Sequence, residues 1–160
     1  MNAIVKTLNA LLKIELTATT AYLLYSQIAA NLGYAKFSEQ MKTESAEEQQ
    51  HAKWLTERIV QLDGTPELQT ETPAIPLDIP SMLKQSRGIE EGARDAYNAA
   101  IESTIEDDDH GTRVMLDEIQ DQTEEHIRWL IAQQNLIDQV GLQNYLTLQA
   151  RLCFTIPNSR

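Results

Sequence analysis

The 160-residue chain predicts an all-α fold. Four long helices form a bundle with one long crossover between the second and third, and a short fifth helix follows. Three observations carry this expectation. Apolar residues recur at helical spacing through four long segments. Glycines at 33, 111 and 141 punctuate those segments at the points where tight turns are needed. Four of the five prolines, at 66, 73, 76 and 80, cluster between the second and third segments.

The first helix is expected over about 4–32, on the periodicity of Leu8, Leu11, Leu12, Ile14, Leu16, Leu23, Leu24 and Ile28, with Gly33 as a left-handed stop. A second helix follows over about 36–62 and ends at Asp63-Gly64. Residues 63–80 read as an extended connector. Ser81 is the expected N-cap of a third helix to about 109, and Thr112 that of a fourth to about 139. The fifth helix is expected over about 142–153. Tight links at Gly33 and Gly111 make helices one and two antiparallel, and likewise three and four. The connector can reach roughly 55–60 Å when extended. A helix of this length measures only about 40 Å. The third helix can therefore start at the same end of the bundle as the second, and the whole of 1–160 reads as a single domain.

The net charge of −11 and pI near 4.6 argue against nucleic acid or an anionic membrane as a partner, since both repel an acidic surface. No apolar run is long enough to span a bilayer, and no signal peptide is visible. The lone Cys153 cannot form an internal disulfide and fits a reducing compartment, so the expected location is cytoplasmic. His110, beside an acidic run at a helix end, reads as an exposed cap.

One pattern occurs twice, 75 positions apart. Glu15, Ala18, Ala21, Tyr22, Glu48, His51, Trp54 and Leu55 recur as Glu90, Ala93, Ala96, Tyr97, Thr123, His126, Trp129 and Leu130. A single member differs, Glu48 against Thr123. A Glu on one helix facing a Glu-x-x-His on the next, duplicated, is what a carboxylate-bridged di-iron or di-manganese centre in a four-helix bundle requires. Positions i and i+3 share a helix face, so Glu48 and His51 can grip one metal. Glu15 and Glu90 would enter from the opposite helices, and His126 would serve the second metal. Tyr22 and Tyr97, each seven residues past its Glu, fall on the same face as that Glu. They could orient a carboxylate, donate electrons or simply pack in the core.

Further motifs extend the likeness: Leu8-x-x-Leu11-Leu12-x-x-Glu15-Leu16, Gln50-His51-Ala52, Arg58-Ile59-x-x-Leu62-x-Gly64-x-Pro66, His126-x-x-Trp129-Leu130 and Gly141-Leu142-Gln143-Asn144-Tyr145-Leu146. With these the chain resembles bacterioferritin over nearly its whole length. The resemblance implies a ferritin-like domain and a hollow shell of 24 subunits. Such a shell takes up Fe(II), oxidises it with dioxygen or peroxide at an intrasubunit di-iron centre, and stores ferric mineral. It implies iron ligation by Glu15, Glu48, His51, Glu90 and His126, and places the fifth helix near the four-fold axis.

Two departures qualify it. The haem-binding pattern has Met one residue after the Glu of Glu-x-x-His. Here Gln49 stands there, and an amide is a poor substitute for a thioether, which argues against haem. The family's second bridging Glu is replaced by Thr123, leaving three carboxylates against the four charges of two Fe(II) ions. Glu124 and Glu125 point off the His126 face, and Gln122 is neutral. A metal-bound water or a nearby carboxylate such as Glu47 or Glu118 could compensate. Thr123 and Gln49 also fit a different role, an impaired shell subunit that co-assembles with a fully equipped sister chain. A di-metal oxidase acting on an organic substrate on the same scaffold is a third reading.

Overall fold

The computed structural model describes residues 3–72, 74–106 and 108–150, with the backbone alone at Glu106. It is all-α: α1 (Ala3–Asn31), α2 (Ala35–Gln61), α3 (Ile79–Glu106), α4 (His110–Val140) and the short α5 (Leu142–Gln149). The α1–α2 and α3–α4 hairpins make the most extensive contacts, and α1 packs on α3 to join them. None of the helices is long and apolar enough to cross a membrane.

Each turn has a local cause. After α1, Gly33 takes φ +87, a left-handed conformation without penalty for glycine, and Tyr34 N–H closes onto Ala29 O at 2.9 Å. After α2 the left-handed residue is Asp63, at φ 56, and not the glycine beside it. Gly64 is required for space instead. A Cβ there would lie 2.7 Å from the Val5 side chain and 3.0 Å from Ile59 O.

The helix starts correct two expectations. The cap of α3 is Asp78 rather than Ser81. Its carboxylate accepts from both the backbone N–H (2.8 Å) and the hydroxyl (3.0 Å) of Ser81. Placing Asp78 at the cap brings Pro80 into the first turn, where a missing N–H goes unnoticed. The cap of α4 is Asp109 rather than Thr112, and Thr112 N–H donates to it at 3.0 Å. Asp109 also accepts from Arg58 at 2.9 Å, which ties α4 to α2. An ionised carboxylate accepts from several donors at once, which a hydroxyl does less well. With Asp109 as that cap, α3 stops short of 109, and the exposed His110 is the first residue of α4. The fifth helix stops at Gln149, where Ala150 turns extended (ψ 142). The rest of the expected segment, including Cys153, lies outside the described residues.

Over residues 62–72 the connector runs up the side of α1. Asn9 donates to Thr65 O (3.1 Å) and accepts from Glu67 N–H (2.8 Å), while Thr17 Oγ1 accepts from Glu71 N–H (2.9 Å). These anchor points climb α1 by two turns, so α3 begins beside the far end of α1, where α2 also begins.

That topology divides the core. One apolar cluster gathers Leu8, Leu12, Leu55, Ile59, Leu116 and Ile119 among others. A second gathers Tyr25, Phe37, Met41, Met82, Leu83 and Leu130. Between them every long helix contributes polar residues to one buried layer: Glu15 from α1, Glu44 and Glu48 from α2, Glu90 from α3, Thr123 and His126 from α4.

Candidate metal centre

Burying ionisable groups between two apolar clusters is unfavourable unless they are paired, protonated or bound to a cation. The layer is arranged in two halves around Glu48. On one side, Glu48 Oε2 lies 2.9 Å and Glu15 Oε2 3.5 Å from His51 Nδ1. On the other, His126 Nδ1 lies 4.0 Å from Glu48 Oε1, 3.2 Å from Glu90 Oε1 and 3.1 Å from Glu44 Oε2. Glu48 therefore turns one oxygen toward each imidazole. Two sets of ligand atoms fall within 4.8 Å of one another, Glu15–Glu48–His51 and Glu44–Glu48–His126. All five residues singled out from the repeat thus converge on one layer.

The tyrosines cross between hairpins. Tyr97 on α3 donates to Glu15 Oε1 on α1 at 2.5 Å, and Tyr22 on α1 donates to Glu90 Oε1 on α3. Each fixes one oxygen of its carboxylate. Burial pushes both phenols well above their ordinary value, with Glu90 adding to the effect on Tyr22 and Glu15 to that on Tyr97. They remain protonated donors throughout the working pH range.

His51 is oriented from behind. Its Nε2 meets Gln122 Oε1 at 2.9 Å, and Gln122 Nε2 donates to Glu118 Oε1 at 3.0 Å. The carboxylate accepts only, so it sets which way the amide faces; the amide oxygen then makes Nε2 the protonated nitrogen. That leaves Nδ1 directed at Glu15 and Glu48. Gln122 is neutral, as the sequence indicated, and serves as this relay.

The layer shares protons strongly. Burial, then repulsion from Glu90 and Glu15, holds the Glu48 carboxyl well above the usual range. Glu44 is raised too, chiefly by burial. For Glu15 burial pushes up, but hydrogen bonds from His51 and Glu48 outweigh it and the net direction is down. Burial lowers both imidazoles, yet the carboxylates facing them prevail and both are raised.

The donor set fits a pair of first-row divalent cations, with carboxylate oxygens to bridge and imidazoles as terminal ligands. His126 supplies the structural test. Neither of its ring nitrogens has a hydrogen bond, although the residue is only 5% exposed. Nδ1 is close to two carboxylates but aligned for a hydrogen bond with neither. Buried polar atoms are rarely left so, and a metal ligand deprived of its ion is a standard exception.

The repeat did not reveal Glu44. It lies one turn before Glu48 and two before His51, on the same helix face, and that spacing is legible in the sequence. Its counterpart 75 residues on is Ile119, however, so the duplicated pattern omits it. Glu47 and Glu118, the stand-ins suggested by the sequence, are both exposed. Gln49 is exposed on the outer face of α2.

Comparison with known proteins agrees with this architecture. The family model for the ferritin-like domain matches residues 5–140. A "Bacterial ferritin" of Neisseria meningitidis serogroup B is 35% identical over 148 residues, covering 92% of this chain and 96% of that protein. A "Bacterial ferritin" of Pseudomonas aeruginosa is 34% identical over 143 residues, covering 89% and 93%. A "Bacterioferritin" of Mycobacterium avium is 32% identical over 146 residues, covering 89% and 90%. With a domain match and relatives that both span most of its length, the chain belongs to the ferritin family.

Proposed function

We propose that the chain is an iron-storage subunit of bacterioferritin type. In this reading it assembles into a hollow shell of 24 copies, accepts Fe(II) as substrate, oxidises it within each subunit and passes ferric iron to the cavity. The observation that carries the reading is Glu48 lying between two imidazoles with one carboxylate oxygen turned toward each. Relatives named bacterial ferritin and bacterioferritin over nearly their full length support it.

The geometry supports the following roles. Glu15 and His51 hold one cation, Glu90 and His126 the other, and Glu48 is shared between them. Two Fe(II) ions side by side supply two electrons together, the number that reduces dioxygen to hydrogen peroxide or peroxide to water. The protein's part is to hold both substrates close, neutralise their charge and receive the displaced protons. Tyr22 and Tyr97 keep Glu90 and Glu15 from swinging away as the ions arrive and leave. The reading carries no haem, because Gln49 offers an amide where a thioether would be needed.

Stopped-flow measurement of Fe(II) oxidation tests the assignment. Glu48→Gln and His51→Ala should each abolish the fast phase while the circular dichroism spectrum stays helical. Fast oxidation retained in both variants overturns the site. Thr123 favours a second reading, in which this chain is an impaired shell component dependent on a sister subunit. Near-zero oxidation by the purified wild-type oligomer, restored by the partner or by Thr123→Glu, would select it.

A further inference from the structure

The buried layer contains one carboxylate more than the duplicated motif provides. We infer that Glu44 is a metal ligand of this centre, supplying from α2 the carboxylate that α4 lacks at Thr123. The inference rests on the di-metal reading above and extends it to a residue that reading leaves idle.

Four observations converge. Thr123 is not aimed at the cations' position: its hydroxyl donates back to Ile119 O in its own helix at 3.0 Å. Glu44 is buried, and its Oε2 is the carboxylate oxygen nearest His126 Nδ1, at 3.1 Å against 3.2 Å for Glu90 and 4.0 Å for Glu48. His126 is 5% exposed and has both ring nitrogens without a hydrogen bond among the described residues, so an acceptor-rich pocket faces an unsatisfied nitrogen. Gln40, one turn earlier, donates to Glu44 Oε1 at 2.6 Å, which leaves Oε2 directed at the centre.

Charge counting points the same way. Two divalent cations bring four positive charges, and Glu15, Glu48 and Glu90 cancel three. Glu44 restores the fourth without any change on α4. The pseudo-two-fold thus breaks in a compensated manner: α4 carries Ile119 and Thr123 where α2 carries Glu44 and Glu48. At these levels α4 presents no carboxylate and α2 presents two. The second ion would therefore sit displaced toward α2, beside a cleft lined by Gln40, Glu44, Glu47, Gln122 and His126 that opens to the surface.

Cobalt(II), which is not oxidised under these conditions, reports ligation apart from catalysis. Crystals of the assembled protein soaked in Co(II) should show two anomalous peaks per chain, one beside His51 and one beside His126, with Glu44 in contact with the latter. In solution, Glu44→Gln should weaken the second Co(II) about tenfold or more, read from the visible absorption titration. Adding Thr123→Glu to that variant should recover it. A peak beside His126 that Glu44 does not touch, or an unchanged second affinity in Glu44→Gln, overturns the inference and leaves the di-metal centre standing. A single wild-type peak beside His51 overturns it too. Absence of Co(II) from both histidines sinks the di-metal reading itself.

Discussion

Replacing Glu48 by Gln should make the metal-free protein more stable at alkaline pH while destroying its iron chemistry. In the fold, burial and the neighbouring Glu90 and Glu15 raise the Glu48 carboxyl well above its ordinary 4.5. The folded chain therefore keeps a proton there at pH values where the unfolded chain has released it. The resulting stability is fully present below pH 4.5 and is lost as pH rises through the folded value. Glu44 acts in the same direction, as do His51 and His126 above their ordinary 6.5. Glu15, held low, contributes the opposite sign, but only at pH below 4.5. Each retained proton makes stability fall by about 1.4 kcal/mol per pH unit. For a chain of this length that is a loss of about 3–5 °C in Tm per unit. A net charge of −11 adds a decline of the same sign through self-repulsion, so the variant is essential as a comparison. Thermal unfolding by circular dichroism in chelator should show wild-type Tm falling between pH 5 and 8. The fall should be shallower in Glu48→Gln, by at most about 3–5 °C per unit. With Zn(II) present, wild type should reverse its slope, because ligands must lose protons to bind metal. Parallel metal-free curves for the two proteins would refute the buried-proton account.

Three further outcomes follow from the same geometry. Asp109→Ala removes the α4 cap and the partly exposed Arg58 contact, so it should cost about 2 kcal/mol and lower Tm by about 4–8 °C, with Fe(II) oxidation unaffected. Tyr97→Phe deletes the 2.5 Å bond to Glu15 and leaves a buried oxygen unpaired; Co(II) titration should show weaker binding at the His51 side by about tenfold. Thr123→Val, which keeps the shape and loses only a hydroxyl bonded within its own helix, should leave Co(II) stoichiometry at two per chain by the same titration.

The hairpins and the convergence of Glu15, Glu48, His51, Glu90 and His126 were legible because duplication is a pattern that single residues cannot mimic. Glu44 escaped for the complementary reason. Its helical spacing to Glu48 and His51 was visible, but an isolated Glu on an amphipathic helix is usually solvated, and Ile119 in the second copy gave it no echo. The caps were misplaced by a rule of thumb that treats Ser, Thr and Asp as equals. What decided them was the number of donors each site offers: Asp78 receives two bonds from Ser81, and Asp109 receives Thr112 together with Arg58. The left-handed Asp63 hid behind Gly64, whose own constraint is crowding against Val5, a contact no local pattern announces.

The division of the core into two apolar clusters explains how such a polar layer is held in place. Charged groups at the centre of one continuous core would favour local opening to water. Here each helix passes from one cluster to the other, with Leu8 and Leu12 before Glu15 and Tyr25 after it, so opening the layer means unpacking both clusters at once. The connector adds a second restraint by fastening α1 at Asn9 and Thr17, on either side of Glu15. Movement is then left to side chains rather than helices. Among these, His126 lacks the relay that Gln122 gives His51 and faces the cleft. An ion leaving the centre should therefore depart past His126, and substituting Glu44 or Glu47 in that cleft should alter exchange on that side before it alters binding beside His51.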